Sequence, residues 1–237
     1  MPSASSFDFL LSRPLDAAAL IYFVAAALLY GRLGLLGPLA SRSVAGAVQK
    51  HRIQWMRNMA VRDNRVIDTI LLGGLSQGNA FFASTSAIAV GGLSAMLGSG
   101  DRIRELFERM PFVDLAPAAL WEAKIVLMIG IFIYAFFKFA WAFRLSHYTA
   151  IMIGSAPLLG SGQDEAGDVH AVRTARLIGI AAEHANSGLR SFYFAIAALA
   201  WFFHPVLFMI ATTWVLVIQI RRDYFSRSLR VLAGRWP

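Results

Sequence analysis

Residues 69–97 read Thr-Ile-Leu-Leu-Gly-Gly-Leu-Ser-Gln-Gly-Asn-Ala-Phe-Phe-Ala-Ser-Thr-Ser-Ala-Ile-Ala-Val-Gly-Gly-Leu-Ser-Ala-Met-Leu. The stretch is apolar and rich in small residues. It exceeds the roughly 20 residues, rising about 1.5 Å each, that carry a helix across a bilayer. Gly74 and Gly78 form a G-x-x-x-G, and Ala83, Ala87, Gly91 and Ala95 continue small residues at close to four-residue spacing. Small residues let helix backbones approach closely, which is how helices associate where lipid removes the hydrophobic drive. Two uses follow: packing inside one bundle, or an interface with a second copy or a partner membrane protein. The stretch also carries Ser76, Gln77, Asn79, Ser84, Thr85 and Ser86. Polar groups in lipid must find partners inside protein, so this face is expected to point into the bundle or a wet cavity.

Three further apolar segments flank it, at residues 15–36, 118–143 and 191–220. The whole chain of 237 residues is 57% hydrophobic and 15% charged, with mean hydropathy +0.58. An ordinary soluble domain is about 45–50% apolar and about 25% charged. The expected fold class is therefore all-α, a polytopic transmembrane bundle of about four spans forming a single integral membrane domain over residues 1–237. The residues before the first segment lack a basic region, so it reads as a retained span and not a cleaved signal.

Loop charge sets the expected orientation. Residues 37–68 hold Arg42, Lys50, Arg52, Arg57, Arg62 and Arg65 against Asp63 and Asp68, and basic loops stay in the cytoplasm. This puts the N-terminus outside. Four spans then leave outside a tail bearing Arg221, Arg222, Arg227, Arg230 and Arg235, which conflicts with the same rule; an odd number of spans would remove the conflict. The Arg-rich, Ala-rich usage suggests a GC-rich bacterial genome, hence a bacterial plasma (inner) membrane.

Amphipathic helices are expected at 44–60, 101–110 and 172–186. In the first, Val48, Trp55, Met56 and Met59 share one side, with Lys50 and Arg57 on the other. Such a helix lies on anionic lipid or continues the bundle into the cytoplasm. In the last, the spacing of Ala171, Ala175 and Gly179 leaves room for a close helix neighbour. Glu122, Lys124 and Lys138 read as interfacial anchors, as do Trp55, Trp121, Trp141 and Trp236.

His204-Pro205 falls near the middle of the last segment. Proline removes a backbone hydrogen bond and kinks a helix, and an ionisable residue at mid-bilayer is a functional candidate. With Gln77, Asn79, Ser84 and Thr85, His204 completes the candidate path. Glu183, His184 and His147 lack any established metal-ligand spacing, so no metal is expected. No phosphate loop, nucleophile elbow or intramembrane carboxylate pair occurs, so no enzyme and no cofactor are expected. The basic segments lack the context of a nucleic-acid module, and membrane lipids explain them better.

The run Arg62-Asp63-Asn64-Arg65-Val66-Ile67-Asp68-Thr69, followed by Asn79-Ala80-Phe81-Phe82-Ala83-Ser84-Thr85, resembles a family of polytopic membrane proteins of bacteria and plants, the domain of unknown function numbered five hundred and ninety-nine. The resemblance covers most of the chain. It implies the membrane architecture and carries no activity. The alternating charges of its first run suggest a salt-bridged start to the second span, with Asp68 as a possible helix cap. The leading functional expectation is a small transporter or channel-like protein. The competing one is a structural or assembly protein that binds partner helices and anionic lipid.

Overall fold

The computed structural model describes residues 13–33, 37–99, 117–157 and 164–234. Every regular element among them is helical: α1 (Pro14–Leu33), α2 (Gly37–Arg42), α3 (Val44–Ala60), α4 (Val66–Gly98), α5 (Ala118–Gly154), α6 (Asp164–Leu199), α7 (Pro205–Phe225) and α8 (Arg227–Leu232). A 3-10 turn at Ala200–Phe202 joins α6 to α7. Among the described residues, four helices are long and apolar enough to cross a membrane: Pro14–Arg32, Val66–Gly98, Ala118–Gly154 and Pro205–Leu232. The helix expected over 101–110 lies outside the described residues.

The first three match expected spans, with α5 running well past residue 143. The fourth is a correction: 191–220 is not one helix. Pro205 has no N–H to bond the Trp201 carbonyl, and its ring would clash there in a continuing helix. The chain tightens into the 3-10 turn, and His204 takes extended backbone (φ −160°, ψ 139°) as the cap of α7. Its Nδ1 accepts the Val206 N–H at 3.1 Å. His204 is therefore an exposed residue at a helix start, not an ionisable group at mid-span.

The freed Trp201 carbonyl accepts from Lys124 Nζ at 2.7 Å, and the ammonium also lies over the Trp201 ring. Lys124 is only 1% exposed. It is an internal strut, which corrects its reading as an interfacial anchor. The Trp201 indole N–H donates to buried Asp16 at the start of α1 (2.7 Å).

The long helices alternate in direction. α4 and α5 are antiparallel, since Leu72 clusters with Ile153, Ala83 with Phe139, and Met96 packs on the cluster holding Leu120 and Trp121. α5 and α6 are antiparallel through Lys124–Trp201, Tyr134–Ser187 (3.1 Å) and Met152–His170 (2.7 Å). Gly188 of α6 lets Phe139 of α5 pack onto bare backbone, where a Cβ would fall 2.6 Å from the ring. α1 and α7 run parallel: Phe23 meets Phe208, Tyr22 bonds Thr213 (2.8 Å), and Tyr30 donates to Asp223 (2.6 Å).

α3 begins at Ser43, whose Oγ accepts the Gly46 N–H, a common way of satisfying a first-turn donor. Its apolar face is covered by protein: Met56 and Met59 are fully buried with Ala171, Ala175 and Ile178 of α6. α3 is the close neighbour expected from the small residues of α6, with Gln49 beside Gly179 and bonded to the Ala175 carbonyl (3.0 Å). Its apolar face thus packs onto the bundle, as one of the two readings of this helix expects. The expected helix 172–186 is the middle of the much longer α6.

Candidate helix-docking face

The family-like run builds the start of α4. Asp68 is fully buried and accepts from the Trp55 indole (2.6 Å) and from Arg62 (2.8 Å). The salt-bridged start holds; the capping role does not, because the cap position is Arg65 and Asp68 lies inside the first turn. Trp55 is thereby engaged with a carboxylate. Arg65 reaches across to α5 and donates to the carbonyls of Ile153, Ala156 and Pro157. These are acceptors that a helix end leaves without partners. Neither this cap nor the Lys124 strut is visible from spacing, because each partner lies far away in sequence.

From this anchored start α4 runs out with α5 as its main neighbour. Leu72, Ala83 and Ser86 are buried on that side. The other small residues lie around the open half of the helix: Gly74 and Gly78 on one flank, and the run Ala87, Gly91 and Ala95 on the other, since nine residues turn a helix by about 180°. Among the described residues, a Cβ at Gly74, Gly78 or Gly91 would meet nothing within 4 Å, and Ala87 and Ala95 are exposed. Among them too, Ala83 is the one small residue of this set buried against the rest of the chain. Gln77 and Ser84 also face outward, while Asn79 and Thr85 are half-buried. Thr85 and Ser86 donate to the carbonyls of Phe81 and Phe82 one turn back, a local way for a hydroxyl to satisfy itself. His204 lies at the end of the bundle that holds Trp201 and Lys124, so the five path candidates do not converge on one space.

The depth of this face follows from the rings beside it. Phe82 stacks on Phe139 of α5 and meets Phe192 of α6 edge-on. Phe192 lies two residues from Arg190, whose guanidinium sits over Tyr30 near the end of α1. Tyr30, Arg190, Arg222 and Tyr193 thus share a level with Phe82, Arg222 donating to the Tyr193 hydroxyl at 3.1 Å. α4 continues from Phe82 back to Val66, about 24 Å beyond that level at 1.5 Å per residue. In this extension Ile67, Ile70, Leu71 and Leu75 are 53–66% exposed.

Lys50 is exposed on α3, whereas Arg57, read as lipid-facing, forms a two-pronged ion pair with Asp168 of α6 (2.7 and 3.1 Å). That bond and the guanidinium charge hold the Asp168 carboxyl below its usual range. His147 bonds a carbonyl of its own helix. Among the described residues, the buried Nδ1 of His184 has no hydrogen-bond partner.

No curated protein and no solved structure matches the chain. One family model does, over residues 18–228, and its description is a protein of unknown function, DUF599. That span takes in the salt-bridged start of α4, the outward stripe and the proline turn, and the chain belongs to the DUF599 family.

Proposed function

We propose that this protein is a multi-pass membrane assembly protein that binds a further helix, from a second copy or from a partner membrane protein, along the outward face of α4. The observation that carries the reading is the run Ala87, Gly91 and Ala95, left open among the described residues on a helix packed chiefly on one side. Its apolar continuation toward Val66 is open as well, with Ile67, Ile70, Leu71 and Leu75 exposed among the described residues. Small residues on a span let a second helix approach closely, a common way for membrane helices to associate. The competing permeation path needs Gln77, Asn79, Ser84 and His204 around one wet space, and their positions do not favour it. The proposal involves no catalysis, no cofactor and no nucleic acid.

The same reading takes the membrane to be a bacterial plasma membrane with the N-terminus outside, since the basic residues of α3 then lie inside. Exposed Lys50, Arg221 and Arg227 would meet anionic headgroups there.

The chain contains no cysteine, so single-cysteine variants report directly. Ala87→Cys and Gly91→Cys in native membranes are expected to cross-link on oxidation into a dimer or a partner adduct. Ile210→Cys, on a lipid-exposed side of α7, is expected to remain uncoupled. Cross-linking at 87 and 91 no stronger than at 210 would refute the docking face. A dimer and a heavier adduct distinguish a second copy from a partner.

A further inference from the structure

We infer that α6 crosses the membrane as well, giving five passes and leaving the arginine-rich tail on the same side as α3. The argument is one of direction. α1 and α7 are parallel: Phe23 lies against Phe208, and Tyr30, further along α1, bonds Asp223, further along α7. Two parallel spans of one chain are separated by an odd number of crossings. Between them α4 runs against α1, and α5 runs against α4. α5 and α7 then point the same way, so the chain must return through the bilayer between them, and α6 is the element that does so. Its C-terminal half ascends from Arg190, level with Tyr30, to Trp201, level with Asp16.

A second observation reaches the same sidedness independently. His51 of α3 is bonded to the Leu232 carbonyl of α8 at 2.9 Å, so the end of the chain lies against α3.

Hydropathy misses this pass for a physical reason. A helix flanked by other spans meets protein along much of its surface, so it need not be uniformly apolar; Ile196 and Leu199 mark the side it leaves open. Phe194, Ala197, Ala198 and Trp201 are at most 6% exposed, packed between α1, α5 and α7. The polar residues of the segment have protein partners: Ser191 donates to the Ser187 carbonyl, Ser187 pairs with Tyr134, and Tyr193 accepts from Arg222. Five passes also bring the tail arginines to the side of the basic first loop, as the charge rule requires.

The test uses single cysteines at Asn58 (α3), Ser99 (after α4), Phe203 (the proline turn) and Ser228 (α8), all exposed. Each is treated with a membrane-impermeant maleimide in sealed vesicles of either orientation. Positions 58 and 228 are expected to react from one side, and 99 and 203 from the other, each several-fold faster than from the wrong side. Reaction of 228 from the side of 99, or of 203 from the side of 58, would overturn the inference. Should a cysteine resist labelling from both sides, a C-terminal reporter active on one side of the membrane only gives the same parity. Reporter activity on the side of residue 58 supports five passes, and activity on the opposite side refutes them. The outcome does not depend on whether α4 has a partner.

Discussion

Lys124 shows how a single side chain can repair the damage a proline does. Pro205 leaves the Trp201 carbonyl without its helical donor, and the ammonium supplies one from α5. Leaving a buried acceptor unmade costs about 1–3 kcal/mol. Lys124→Met is therefore expected to lower the melting temperature in detergent by the equivalent of that loss. An unchanged melt would mean the carbonyl has another donor. Gly188 makes the opposite demand, for absence of a side chain. A methyl there collides with Phe139, itself stacked on Phe82, and overpacking of this kind costs about 1–3 kcal/mol. Gly188→Ala should destabilise, and Phe139→Leu in the same chain should return part of the loss in a double-mutant cycle. Neither residue announced its role in the sequence. A lysine six residues into a long apolar helix reads as an anchor, because the carbonyl it serves is 77 residues away.

Among the elements, α3 and α6 are joined by a buried apolar seam and an exposed ion pair. The seam was legible: the apolar side of α3 and the small residues of α6 both carry helical periodicity. Periodicity does not say whether an apolar face meets lipid or protein, and only the fold puts Met56 and Met59 against Ala171 and Ala175. The ion pair has a pH signature. Asp168 titrates lower in the folded chain than in the unfolded one, because Arg57 bonds its charged form. Its contribution is complete above the ordinary aspartate value of about 4. It disappears as pH falls through the lowered folded value. Asp168→Asn should thus cost a small stability increment at neutral pH, none in strong acid, and little at high salt, where exposed pairs are screened. A difference that persists unchanged in acid would point to packing instead of charge.

At the scale of the whole molecule, membrane residence was the most legible property, because composition and four long apolar segments both declare it. The number of passes was less legible. A span buried among other spans carries the composition of a protein interior, and a proline turn inside one apolar run conceals two helices. The stripe of α4 was seen but its direction was not, since glycine spacing is the same whether the neighbour belongs to this chain or another. The joined α6–α7 pair has a consequence for biogenesis. Arg190, Ser187 and Ser191 make the rising half of α6 a poor candidate for partitioning from a translocation channel into lipid unaided, while α7 partitions readily. With only the Ala200–Phe202 turn and two residues between them, the two would leave the ribosome seconds apart and enter lipid as a helical hairpin. The hydrophobicity of α7 would draw its companion in, and α1, made more than 150 residues earlier, would wait in the bilayer for Trp201 to reach Asp16.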